Sequence, residues 1–220
     1  MFERKETSLK TLLELILVMG ISVFLFLSVP GLAWVYTVIP LIYLLIERRI
    51  RHRSFKSMGM KYSGIIADLR TNFRIIILVA VGIQFAVIVG SYWFWPPLFL
   101  RFQERVAYLQ AHFGTFAPSI MFLPLVALST FLEELVFRGF VQERASWFFN
   151  DFVAIIAGAL LLTVFHYSSG ELPVVMTDLF FVFLDSSLYS LIYLRSKNVF
   201  AAWTAHLSAD LIGIILLLML

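Results

Sequence analysis

The amino-acid sequence predicts an all-α fold, a polytopic transmembrane bundle of about seven helices. Three observations predict it. Of the 220 residues 61% are hydrophobic, and the mean hydropathy is +0.92. A soluble domain is roughly 45–50% apolar, so this chain carries too much apolar surface for a water-facing fold of its size. The apolar residues also fall into runs of about 20, the length that crosses a hydrocarbon core. Finally, the charged residues are only 14% of the chain and cluster between those runs.

The first predicted helix covers residues 11–29. The charged start from Met1 to Lys10 imitates a secretory signal, but the run behind it exceeds a signal core and no A-x-A site follows, so it reads as a retained span. Pro30-Gly31 ends it in a tight turn, and a second helix covers about 32–46. A basic stretch from Glu47 to Arg74 follows, with a short interfacial helix near Tyr62–Leu69. The third helix covers Ile75–Trp95 and ends on Trp93, Trp95 and Pro96-Pro97, where Trp suits the interface. Residues 98–117 read as a looser connection. The fourth helix runs from about 118 to 147 and the fifth over 150–167, stopped by Ser168-Ser169-Gly170. The sixth covers 172–194 and the seventh 199–220. Residues 1–116 are thus N-terminal membrane helices with a basic loop, and residues 117–220 a candidate catalytic core, within one integral membrane domain.

Charge sets an expected orientation. With the N-terminus in the cytoplasm, all of the 17 Lys and Arg except Arg101 and Arg105 face inward, as the positive-inside rule asks. A prokaryotic cytoplasmic membrane is the expected location. The net charge of +3 is then explained by loops facing anionic lipid, not by nucleic acid. The absence of Cys removes a disulfide framework, a thiol nucleophile and a Cys-based zinc site.

Ionisable residues within spans cost at least about 2.5–3.5 kcal/mol each near the centre, which makes them functional candidates. Here they are Glu133, Glu134, His166, Asp178, Asp185, His206 and Asp210, with Glu14 nearer a span end. Glu134 and Arg138 are four apart, so they can pair on one helix face and hold structure. Glu133 lies about 100° around the helix without that partner, the environment expected of a general base. His206 and Asp210 also share a face, whereas either His alone is equally well read as a polar interhelical contact. His52 and His112 fall in predicted loops. Asp178 and Asp185 are seven apart on one face. They either line a cavity or are structural, Asp178 near the outer surface and Asp185 bonded to a neighbouring Ser or Tyr.

These residues carry a resemblance. Glu133-Glu134-x-x-x-Arg138, then His166 on the next helix, then His206-x-x-x-Asp210 on the last, resembles the CAAX-protease and bacteriocin-processing (CPBP, or Abi) family of intramembrane proteases. The resemblance covers about residues 117–215. The chain departs from it at Leu162, where the family carries Phe, at Ser186 and Ser190 among expected Gly positions, and at Asp210, where Asn is common. The resemblance implies an endopeptidase in which water, activated by Glu133 and His166, attacks a peptide bond. His206 and residue 210 would stabilise the oxyanion. An ionised Asp cannot donate to an oxyanion, so Asp210 is expected to orient His206 instead. The expected substrate is a membrane-embedded or lipid-anchored peptide, prenylated or CAAX-like in one version. No cofactor is required on this reading. Two His and two carboxylates are also a zinc-competent donor set, although H-E-x-x-H is absent. The competing reading is an inactive scaffold, regulator or bacteriocin-immunity protein of the same fold.

Overall fold

The computed structural model describes residues 8–29, 35–113 and 122–220. The Pro30-Gly31 turn, Arg4, Lys5 and Pro118 lie outside the described residues. Among those described the fold is all helical. Helix α1 (Leu9–Ser28) and α2 (Val35–Ile50) come first, followed by α3 (Ile65–Ile77), which passes through a π turn (Leu78–Ile83) into α4 (Gln84–Phe94). Next is α5 (Pro96–Phe113), and then α6 (Phe122–Val136), which a second π turn (Phe137–Gln142) joins to α7 (Glu143–Phe148). The chain closes with α8 (Asp151–Phe165), α9 (Leu172–Ser196) and α10 (Val199–Met219).

Among the described residues four helical stretches are long and apolar enough to cross a membrane: Leu9–Ser28, Ile65–Phe94, Leu172–Ser196 and Val199–Met219. The other predicted spans fall short for identifiable reasons. Helix α2 carries Pro40 and ends on Glu47, Arg48 and Arg49. Helix α6 ends in two Glu and a π turn, and α8 is 15 residues long. Large side chains such as Leu13, Phe24, Phe85 and Phe180 stand exposed on the bundle's outside, as lipid contact requires. The chain is an integral membrane protein.

Two expectations are corrected. The interfacial helix and third span are one continuous helical run, because nothing between Leu69 and Ile75 breaks it and Asn72 bonds back to the Asp68 carbonyl at 2.9 Å. The looser connection over 98–117 is helical as far as Phe113, and His112 lies in that helix rather than a loop. Helix α5 is amphipathic: Leu98, Phe99 and Val106 are buried, while Glu104 and Tyr108 look outward. It therefore lacks the apolar length by which a span is read.

Helix α10 is the centre of the bundle, packed against α6, α9 and the α3–α4 run. Trp203 Nε1 donates to the Ala127 carbonyl at 2.9 Å, which fixes α10 against α6. The start of α10 is held by Gly59, whose φ of +83° suits glycine and whose carbonyl accepts from the Val199 N–H at 2.8 Å. Buried ion pairs close both ends of the bundle. At one end, Glu47 on α2 binds Arg144 on α7 at 2.6 Å and Arg51 at 3.0 Å, and Arg53 reaches Glu143 at 3.0 Å. At the other, Asp178 on α9 pairs with Arg101 at 2.7 Å and with Arg105, the two cations that charge counting left outside. Asp178 is thus buried within the bundle while sitting at the end that Arg101 and Arg105 occupy. Asp185 accepts from Gln84 Nε2 at 2.9 Å, not from a Ser or Tyr.

The Asp178 cluster gives a stability prediction. Asp178→Asn leaves buried Arg101 without its counter-charge, which is expected to cost about 3 kcal/mol. A thermal melt in detergent should show the midpoint falling by several degrees; an unchanged midpoint would count against the pair as a clamp.

Candidate active site

Glu133 and Glu134 occupy the last turn of α6, immediately before the π turn that carries Arg138. The expected pair forms: Arg138 Nη1 lies 3.0 Å from Glu134 Oε1, and both side chains are fully buried. The π turn turns Arg138 toward α9, where Nη2 donates to the carbonyl and the Oγ of Ser186, each at 2.8 Å. Gln142 does the same one turn along, donating to the Ser190 carbonyl at 2.9 Å. Ser186 and Ser190 are small enough to admit these side chains, and Gly158 on α8 gives similar room, since a Cβ there would meet the Phe137 carbonyl at 3.2 Å. The Ser positions that depart from the family pattern are thus packing positions.

His206 on α10 faces this pair. Its Nδ1 is 2.8 Å from Glu134 Oε1, and because a carboxylate only accepts, Nδ1 carries the proton. Nε2 then points to Glu133 Oε2 at 4.0 Å and Asp210 Oδ2 at 3.8 Å. The ring also stacks on Tyr189 with centroids 4.7 Å apart. The contact that orients His206 therefore comes from Glu134. Asp210, expected to orient it, stands beyond hydrogen-bond length, because from the same helix its carboxylate reaches only the opposite ring nitrogen.

Glu133 is not without a partner, contrary to expectation. Tyr36 on α2 donates to its Oε1 at 2.8 Å. His166 closes α8, where its Nδ1 lies 3.0 Å from the Leu162 carbonyl. A carbonyl only accepts, so Nδ1 carries the proton and Nε2 is the nitrogen left free. No hydrogen bond or ion pair joins His166 to Glu133 among the described residues. The structure thus brings Glu133, Glu134, Arg138, His206 and Asp210 into one contact chain and leaves His166 beside it.

Sequence reasoning missed Tyr36. One signal was available: Tyr36 and Tyr43 are seven apart on α2, which puts two polar tips on one face of an apolar helix. Both hydroxyls find carboxylates, Tyr43 donating to Glu14 at 2.8 Å. No group of three or more His, Asp and Glu among the described residues is arranged to hold a metal ion. The donor set that the sequence made zinc-competent is thus not gathered about one point among the described residues.

Residues 115–212 match the family described as type II CAAX prenyl endopeptidase, Rce1-like. The chain is similar to that family over this segment. The Rce1-like segment contains Glu133, Glu134, Arg138, His166, His206 and Asp210, and excludes Tyr36 and Gln84. No curated protein and no solved structure matches the chain.

Proposed function

We propose that the chain is an intramembrane endopeptidase that hydrolyses a peptide bond in a hydrophobic, membrane-anchored substrate, prenylated or CAAX-like. The observation that carries this reading is the approach of Glu133 Oε2, His206 Nε2 and Asp210 Oδ2, with separations of 4.0 Å and 3.8 Å about one imidazole. Glu133 Oε2 has no hydrogen bond among the described residues, and on this reading it is the oxygen that takes a proton from water. His166, with Nδ1 committed to Leu162, has Nε2 available to bind water as the partner of Glu133. The water oxygen attacks the carbonyl carbon, and His206, carrying a second proton on Nε2, donates to the oxyanion that forms. The proton held by Glu133 then passes to the leaving amine, which restores the carboxylate. Asp210 offsets the charge of His206 during these steps. Glu134 and Arg138 hold the imidazole in place and touch no substrate.

Residues 117–220 carry this chemistry and residues 1–116 brace it. Seven crossings fit the helices: α1, α2, the α3–α4 run, α6 with α7, α8, α9 and α10. Helix α5 then lies outside the count as an amphipathic segment. The N-terminus is cytoplasmic in a prokaryotic cytoplasmic membrane, supported by the Lys and Arg distribution. A reporter fused after Leu220 is expected to be active only outside the cytoplasm, and cytoplasmic activity would rule out an odd number of crossings. The test of function is comparative peptidomics of membranes bearing the wild type or Glu133→Gln. Product peptides present only with the wild type are expected; identical peptide sets would favour an inactive scaffold.

A further inference from the structure

Tyr36 lies outside the Rce1-like segment, yet its hydroxyl makes the one hydrogen bond to Glu133 among the described residues. Its ring is fixed on three sides. It stacks on Phe165 with centroids 4.6 Å apart, meets Phe26 edge-on at 6.4 Å and lies tilted against Phe137 at 6.2 Å. Phe165 directly precedes His166, so the same stack connects Tyr36 to the end of α8. The backbone of α2 is adapted at this point. Pro40 lacks the N–H that would bond the Tyr36 carbonyl, so the first turn of α2 is free to depart from the axis of the rest. The far end of α2 is anchored, by Tyr43 on Glu14 and Glu47 on Arg144.

A carboxylate at the end of a Glu side chain turns easily about its last bond, which is a broad torsion. A donor on one oxygen stops that rotation and aims the other. Among the described residues Glu133 is approached by Tyr36 from α2 and by His206 from α10, and of these only Tyr36 is within hydrogen-bond length. Oε1 is therefore the held oxygen and Oε2 the presented one.

We propose that Tyr36 is a positioning residue for Glu133, supplied by the N-terminal helices, and that it presents Oε2 to the attacking water. The proposal rests on the reading of Glu133 as the general base. Tyr36→Phe keeps the ring and its stacking and removes only the hydroxyl. Two measurements on the full chain in detergent test it. In a double-mutant cycle of melting midpoints, Tyr36→Phe should lower the midpoint in the wild-type background and leave it nearly unmoved in a Glu133→Ala background. Equal drops in the two backgrounds overturn the contact. On a substrate identified by peptidomics, Tyr36→Phe should lower kcat about tenfold with KM within about twofold, as expected for the loss of one hydrogen bond to a charged group. A raised KM with intact kcat overturns the role by moving Tyr36 to substrate docking. If the wild type cleaves nothing while the midpoints remain coupled, the peptidase reading fails and the positioning role fails with it. Uncoupled midpoints in an active enzyme overturn the role of Tyr36 alone.

Discussion

Glu133→Gln is expected to abolish cleavage while leaving expression and detergent stability nearly unchanged. Gln keeps the size of Glu and retains an oxygen that can accept from Tyr36, so the contact that holds the side chain survives. What disappears is the basic oxygen that faces His206 Nε2 at 4.0 Å. Loss of a general base alone lowers a rate by about 10²–10⁴-fold. Glu133→Asp is expected to fail as well, for a different reason. The shorter arm withdraws the carboxylate by about an ångström, which breaks the reach to Tyr36 and misplaces the base, and such a displacement costs about 10²-fold. Single-turnover cleavage of a substrate found by peptidomics measures both. A Glu133→Gln protein that cleaves at the wild-type rate would end the case for Glu133 as the base.

Arg138→Ala is the second large effect, and it falls on folding as well as activity. Arg138 and Glu134 are fully buried 3.0 Å apart, and Arg138 also donates twice to Ser186 on α9. Removing one partner of a buried pair costs about 3–5 kcal/mol, because the remaining charge has no compensation. Glu134 in turn orients His206, so the fault is passed to the imidazole. Arg138→Lys should rescue poorly, since a single ammonium cannot serve Glu134 and Ser186 together as a guanidinium does. Size-exclusion yield and activity per folded molecule separate the two effects. Full yield with no activity would give Arg138 a direct part in the chemistry.

The spans were legible where apolar length and punctuation coincide. The ends of α8, α9 and α10 were read within a few residues, because Ser168-Ser169-Gly170 and Lys197-Asn198 mark them. Helix α5 was hidden because its polar residues recur among apolar ones, a pattern that search for a continuous apolar run passes over. Within the site, the Glu134–Arg138 pair follows from helix periodicity alone and needs no tertiary information. The contact of His206 with Glu134 instead of Asp210 depends on how α10 crosses α6, which no local spacing encodes. Tyr36 was hidden for the same reason: 97 residues separate it from Glu133, and a Tyr near a span end reads as an interfacial anchor. The π turn that carries Arg138 has no signature in residue type, since Phe137–Gln142 reads as ordinary helix.

The shortness of α8 bears on the supply of the second reactant. Fifteen residues rise only about 22 Å, against a hydrocarbon thickness of about 30 Å. On the proposed reading that α8 crosses, local thinning of the lipid beside it is one way to meet so short a helix. Such thinning would bring the end of α8 that carries His166 near the aqueous boundary, on the side of the exposed polar run Ser168-Ser169-Gly170. Hydrolysis consumes water that the middle of an undisturbed bilayer does not hold. Under the proposed peptidase reading, a dimple at α8 would let solvent reach the scissile bond while the substrate's apolar portion stays in lipid.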